Sequence, residues 1–486
     1  MTYDLLIIGG GINGAAIARE AALNGLSVLL VEKGDLAGAT SSASTGLIHG
    51  GLRYLEYYEF KLVAEALRER ERLIHAAPHI IRPMLFVLPH ENAVRPWWLV
   101  RAGLYLYDFL GGRMSLPRSR GLRKTDTAFT APLKGGNKGF VYSDAQVDDA
   151  RLTVLNAVDA AANGAEIAVR TELLSARREG QLWRATLGDG REVAARALVN
   201  AAGPWVHQML GKLGVNAASG VRLIKGSHIV VPRLYAGDHA YMLQQPDGRI
   251  VFAIPYQRDF TEIGTTDVPV DRPEDAVIDA DEIAYLCEAA NRHFVKQISP
   301  TDVTSTWSGV RPLYDDGASE AKAVTRDYVL ELDTNGAPLL SIFGGKITTA
   351  RHLAEEAMGK LAGPMGVTVS PRTRTRVFPG GAIADFTTFV AHAGATWPFL
   401  GEARLNRMAR SYGTLLTAML DGVADKAAMG ADLGGGLTEI EARWMHDREW
   451  ARTADDALMR RSKIGLHLTA TERATFASWW AKAYPA

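Results

Sequence analysis

The 486-residue sequence is 47% hydrophobic and 22% charged, with Lys+Arg and Asp+Glu equal at 54 each, a globular composition with room for roughly two to four domains and a large core. Charge balance argues against the basic footprint of a nucleic-acid binder. A single cysteine, Cys287, excludes an intrachain disulfide framework and fits a reducing compartment, as a small buried hydrophobe. No uninterrupted apolar run reaches the ~20 residues of a spanning helix. The first strand begins after Asp4 without a Lys/Arg cluster or a cleavage pattern, so a cytoplasmic chain, at most lying on a membrane, is expected.

In chain order, YDLLIIGGGING (3–14) predicts a strand that breaks at Gly9-x-Gly11-x-x-Gly14, and AAIAREAALNG predicts the helix after it. A second strand, LSVLLVEKG, ends in Glu32, 18 positions beyond Gly14. The glycines make the tight turn and admit a pyrophosphate to the helix N-terminus, while Glu32 accepts from a ribose. An acid there suits NAD or FAD rather than a phosphorylated ribose. The hydroxyl-rich AGATSSAS that follows favours a flavin bound in extended form over further nicotinamide-type strand–helix units. Next comes SSASTGLIHGGLRYL (41–55), with His49, Arg53 and Tyr54 among glycines that let backbone approach a ligand.

RPWWLVRAGLYLYDFLGGR (95–113) carries the Trp, Tyr and Arg of a bilayer interface, although aromatic stripes also pack into cores. ARALVNAAGPWV (195–206) predicts a buried strand breaking at Gly203-Pro204, and SIFGGKITTARHLAEEA (341–357) a strand, a double glycine and a helix start. There Lys346 and the helix N–H groups can face the flavin edge that becomes negative on reduction. SHIVVP, RIVFAIPY and FTEIGTTDV predict short antiparallel strands. The fold class expected is α/β, α+β overall. A discontinuous Rossmann-like FAD-binding domain (1–75, 150–220, 305–360) carries an inserted antiparallel β-sheet substrate domain (76–149, 221–304). RTRTRVFPGG (372–381) reads as a linker with a solvated charge run, followed by a C-terminal helical cap domain over 377–486.

These residues resemble the FAD-dependent, respiratory glycerol-3-phosphate dehydrogenases of the D-amino-acid-oxidase-like superfamily. The resemblance rests on GGGINGAAIAREAA (9–22), ATSSASTGLIHGGLRYLEYYEF (39–60), YSDAQVDDARL (142–152), RLIKGSHIVVP (222–232), FAIPY with IGTTD, SGVRPL (308–313), TRDY (325–328), FGGK and TADDALMRRSKIGL (453–466). It spans the chain and is weakest over 377–440. It implies oxidation of sn-glycerol 3-phosphate at C2 to dihydroxyacetone phosphate, with electrons passing from FAD to a membrane quinone of ubiquinone type. It also implies a peripheral seat on the inner face of the cell membrane; a homodimer is possible and no metal is expected. His49, Arg53 and Tyr54 are placed near flavin and substrate, and Arg311 and Arg326 around the substrate with Lys346 adjoining. FAD contacts are assigned to Gly9, Gly11, Asn13, Gly14, Glu32 and Lys33, then to Thr40, Ser41, Ser42, Thr45, Leu47 and Ile48. Gly203, Trp205, Gly345, Lys346 and Thr348 complete them.

Taking hydride from C2 is eased as the hydroxyl proton leaves, so a base is needed beside the hydroxyl. His49 and His228 both suit it, and Arg311 can instead stabilise the forming alkoxide. Other readings are a glycerol-3-phosphate oxidase, whose usual long extra segment is not found here, an amine or amino-acid oxidase, and an FAD-containing RNA-modifying protein. Covalent flavin attachment is not expected.

Overall fold

The computed structural model describes residues 1–91, 95–135, 138–215, 220–315 and 327–485. Strand β1 (Thr2–Ile8) is buried from Leu5 onward, and its apolar run continues into helix α1 (Ile12–Leu23) and strand β2 (Val28–Val31). β1 pairs in parallel with β2 on one side and with Glu192–Asn200 on the other. The path of this sheet runs Val329–Asp333, Leu339–Phe343, Glu192–Asn200, β1, β2, Glu166–Ala168, and it is parallel from its second member onward. Strands fully covered on both faces read as continuous apolar runs, as LLII and VLLV do here. α1 is buried almost throughout, small alanines allowing close approach to the helices Asp149–Ala162 and Ala350–Met365. Its buried Arg19 is neutralised by Asp159 at 2.7 Å and lies 3.9 Å over the Phe378 ring.

The second sheet follows the path Val268–Pro269, Gly220–Pro232, Phe260–Gly264, Ile250–Tyr256, Ala240–Gln244, Ile81–Pro89, Gly139–Val147, Leu47–Ile48. It is antiparallel except between Ala240–Gln244 and Ile81–Pro89. Ser305–Asp315, expected with the FAD-binding segments, instead pairs with Gly220–Pro232 over eleven register positions from Gly220↔Asp315 to Val230↔Ser305. Leu47–Ile48 likewise belongs to this second sheet.

The C-terminal region forms helices Phe386–Thr396, Glu402–Tyr412, Glu439–Glu449 and Ala470–Ala483 around Met408, Tyr412, Met445, Phe476 and Trp480. The arginine run before it is not a free charge run. Arg376 grips Asp159 at 2.9 and 2.8 Å, Arg374 pairs with Glu355, and the amide of Arg372 donates to Glu20.

Candidate active site

The turn from β1 into α1 opens onto a cleft of about 430 Å³, lined by the ends of β1 and β2, the loops that follow them, and Pro312 of the second sheet. Its glycines are there for different reasons. Gly9 has φ +109°, and a Cβ would lie 2.5 Å from the Ala201 carbonyl oxygen; at Gly14 a Cβ would lie 2.0 Å from the Gly9 carbonyl oxygen. Both are demanded by the protein's own backbone. A Cβ at Gly11 would meet only Ser41 Oγ, at 3.1 Å, so that position is kept bare toward the cleft, where a pyrophosphate lies in such turns. Ser41 Oγ accepts from the Ile12 N–H at the helix start. Glu32 accepts from the Gly10 and Gly34 amides, one on each carboxylate oxygen at 2.7 Å, leaving lone pairs for a ribose. Burial pushes its carboxyl up, against the pull of those two amides. Lys33 lies 4.0 Å over the Trp205 ring, and both line the cleft with Gly203.

The hydroxyls of the 40–45 stretch mainly fasten the loop itself. Thr40 donates to the Val310 carbonyl, Ser42 to that of Ala39, Ser44 to Asp149, and Thr45 bonds His228 Nε2 at 3.0 Å. At the far end of the cleft Asn13 donates to the Gly344 carbonyl, and a Cβ at Gly345 would lie 2.6 Å from the Asn13 amide nitrogen. Asn13 Oδ1 and Lys346 Nζ are buried atoms without a hydrogen-bond partner among the described residues. Buried polar atoms are ordinarily satisfied, so these two fit a group with polar edges lying between them. Open glycine, paired carboxylate, and an unpartnered acceptor and donor together suit a flavin dinucleotide.

Beside this end lies a pocket of about 100 Å³ lined by His49, Arg53, Tyr54, Asp144, Asp267 and Arg311, with Leu47, Phe86, Met242 and Phe252 among its apolar walls. The two spaces meet through neighbouring residues: Arg311 faces the pocket and Pro312 the cleft, while Gly345 lines the cleft and Lys346 Nζ lies 4.1 Å over the Tyr54 ring. Arg311 bonds Asp267 at 2.8 Å and Thr265 Oγ1 at 3.0 Å. His49 Nδ1 accepts from the Gly51 amide at 3.0 Å, and its own amide approaches Thr348 Oγ1. With Nδ1 an acceptor, the neutral imidazole carries its proton on Nε2.

His228 does not line the pocket. It is buried, stacked on Trp307 at 5.5 Å, and pushed down to about 3 by burial and then by Arg311. Glu262, 3.7 Å from it, is pushed up to about 8 by burial. At neutral pH the two meet uncharged, so their approach is not an ion pair. Ile48 is buried in the sheet. Arg326 lies outside the described residues.

Several cleft and pocket residues escaped sequence reasoning. Arg170 and Thr171 line the cleft, and so does Arg460, which the C-terminal region supplies while bonding Asp35 at 2.6 Å. Asp144 and Asp267 line the pocket from within YSDAQVDDARL and IGTTD, where the sequence assigns them no role; Tyr107, which lines neither space, lies behind Asp144 in the aromatic helix Trp97–Leu110.

Fold and site define an α/β flavoprotein whose dinucleotide cleft opens onto a small pocket lined by two arginines, two aspartates and a histidine. Residues 4–351 match the family model described as FAD dependent oxidoreductase. The chain is 50% identical to D-erythritol 1-phosphate dehydrogenase of Brucella abortus, over 99% of this chain and 98% of that one. It is also 50% identical to aerobic glycerol-3-phosphate dehydrogenase of Escherichia coli, over 98% and 97% respectively. Among solved structures, glycerol-3-phosphate dehydrogenase of Bacillus halodurans complexed with FAD superposes with a TM-score of 0.79 at 26% identity, covering 99% of this chain and 91% of that chain. The chain therefore belongs to the FAD-dependent oxidoreductase family, in its glycerol-3-phosphate dehydrogenase branch.

Proposed function

We propose that this chain oxidises sn-glycerol 3-phosphate at C2 to dihydroxyacetone phosphate and passes the electrons to a membrane quinone. The observation carrying this reading is the meeting of Arg53, Arg311 and His49 in one pocket at the end of the cofactor cleft. Guanidinium groups suit a phosphate because they offer paired, permanently charged donors. Bound FAD supplies the hydride acceptor. Gly11, Ser41 and the α1 N-terminus would hold its pyrophosphate, Glu32 its ribose, and Asn13 and Lys346 the polar edge of its ring. In the pocket, His49 Nε2–H donates to the C2 oxygen and stabilises the negative charge that grows as the hydroxyl proton departs. Asp267, a third exposed beside Arg311, is the carboxylate open to receive that proton.

Delivery to a quinone is supported by the helix Trp97–Leu110. It buries only Leu104 and Tyr107 and exposes Trp97, Trp98, Leu99, Tyr105, Leu106 and Phe109. Tyr57, Tyr58 and Phe60 are exposed as well. Amphipathic aromatic faces of this kind seat at the headgroup level of a bilayer. No helix among the described residues is long and apolar enough to cross one.

A second reading is a four-carbon polyol phosphate, favoured by the identity to the erythritol-phosphate enzyme of Brucella abortus. Anaerobic mixing separates the possibilities. Glycerol 3-phosphate should bleach the bound flavin, erythritol 1-phosphate should do so with a much lower kcat/KM, and amino acids should leave it yellow. Reversal of the first two ranks would favour the second reading. Peroxide formed in step with turnover in air would indicate an oxidase instead.

A further inference from the structure

We infer that Tyr107 is a positioning residue for the reaction: its hydroxyl fixes the Gly50 peptide and thereby aims the His49 imidazole into the pocket. Tyr107 sits on the inner side of the exposed aromatic helix and is 2% exposed. The Gly50 N–H donates to its hydroxyl oxygen at 2.7 Å, and the hydroxyl donates to the Asp144 carboxylate, 2.9 Å from either oxygen. Asp144 is in turn held by Arg70 at 2.6 Å, and Arg70 also donates to the Ser143 carbonyl. The hydroxyl thus gives its single hydrogen bond to Asp144 and takes one from Gly50.

The consequence reaches His49 through two successive amides. The Gly50 N–H is committed to Tyr107, which sets the plane of the 49–50 peptide. The Gly51 N–H, from a residue at φ +74°, then falls on His49 Nδ1. Glycine is required at 50 by the same contact, since a Cβ there would lie 2.8 Å from the Tyr107 ring and 2.6 Å from Leu67. A ring held on Nδ1 presents N–H at Nε2. Loss of the Tyr107 hydroxyl leaves a buried amide unpaired, a state backbone avoids by turning, and the turn takes the Gly51 N–H with it. Misaiming of a reacting group by about 1 Å can cost on the order of a hundredfold.

The inference rests on the proposed role of His49, and its test is a double-mutant comparison on the FAD-loaded enzyme. Tyr107→Phe, His49→Ala and the double variant are mixed anaerobically with glycerol 3-phosphate, and rates are normalised to bound flavin so that lost protein does not read as lost rate. Tyr107→Phe should slow flavin reduction about 10- to 100-fold with KM within a few-fold, and the double variant should be no slower than His49→Ala alone. Multiplying losses, or an unslowed Tyr107→Phe, would overturn the inference. Failure of the substrate itself would appear in the parent enzyme, before any variant. An independent readout then decides: in ¹⁵N-histidine-labelled protein, the His49 signals should report a bare Nδ1 and a protonated Nε2, and Tyr107→Phe should mix the two tautomers. An unchanged His49 spectrum would equally overturn it.

Discussion

Arg461 grips Asp35 with two guanidinium nitrogens, each 2.7 Å from a carboxylate oxygen, and both residues are essentially sealed from solvent. The contact joins the C-terminal region to the loop after β2, and Arg460 reinforces it on the same carboxylate while lining the cofactor cleft. Removing one partner of a buried pair leaves the other charged and unpaired, typically at ~3–5 kcal/mol. Asp35→Ala should therefore lower Tm and weaken FAD retention together. Arg460 also bonds Asp456, and Arg461 the Glu449 carbonyl. Calorimetry with and without added FAD checks both, and an unaltered Tm would show that these two acceptors satisfy the arginines unaided.

The glycine turn separates fold from cofactor. Gly14→Ala puts a methyl 2.0 Å from backbone and should yield little folded protein. Gly11→Ala meets only one hydroxyl, so it should fold normally and bind FAD at least tenfold more weakly, about 1.4 kcal/mol. Flavin absorbance per folded chain measures it; normal flavin in Gly11→Ala would remove the pyrophosphate from this face of the turn.

What the sequence made legible was local. A glycine turn, a strand-end acid and a helix start are set by neighbours within some twenty residues, so the cofactor cleft could be outlined from Gly9 to Glu32. Partners across the chain were not. Ser305–Asp315 has the same strand pattern whichever sheet it joins, and its eleven-position register with Gly220–Pro232 is a tertiary fact. Arg376 looks solvated until Asp159 is seen beside it. Of the two histidines alike in sequence, depth alone separates them: one lines the pocket and the other lies buried. Tyr107 was one aromatic in a stripe, and nothing in helical spacing tells a core tyrosine from one bonded to an active-site amide.

Glu262 gives stability a pH dependence of known sign. Its folded value of about 8 lies above the ordinary 4.5. The stabilisation is complete below ~4.5 and is lost as pH rises through about 8, at up to ~1.4 kcal/mol per pH unit. His228, pushed down to about 3, acts oppositely: its share is present above ~6.5 and lost as pH falls through about 3. Asp149 and Lys463 also bear on Glu262, the first raising and the second lowering its value. Glu262→Gln should flatten the fall in Tm between about pH 4.5 and pH 8 and leave the limb below about pH 4 as it was. A parent and a variant falling in parallel over that window would place the loss elsewhere.

The exposed helix face offers a direct binding assay. Trp98 and Tyr105 are 69% and 60% exposed, and each large apolar side chain buried contributes about 1.5–3 kcal/mol. Replacing both with serine should reduce co-sedimentation with phospholipid vesicles at least tenfold. Flavin reduction by substrate in solution should be untouched, because neither side chain enters the pocket. Equal sedimentation of parent and variant would take the membrane away from this face.

Arg311 is the sharpest test of the substrate. Its ordinary role is already visible: it bonds Asp267 and Thr265, and a Cβ at Gly226 would strike its guanidinium, so it could be a brace and no more. A bracing arginine and a phosphate-binding arginine differ in which substrate notices their loss. Removing charge-assisted hydrogen bonds to a phosphate costs about 1.5–3 kcal/mol, which is roughly ten- to a hundredfold. Arg311→Ala should therefore depress kcat/KM for glycerol 3-phosphate by that factor. The trace activity on glycerol, which has no phosphate to hold, should stay within a few-fold of the parent. Asp267→Asn supplies the control, since it loosens the brace while keeping the guanidinium charge, and it should spare the preference for the phosphorylated substrate even where it slows both. Losses of equal size on glycerol and glycerol 3-phosphate in Arg311→Ala would assign the residue to the C2 oxygen or to the fold, and the phosphate would then belong to Arg53 and Lys346.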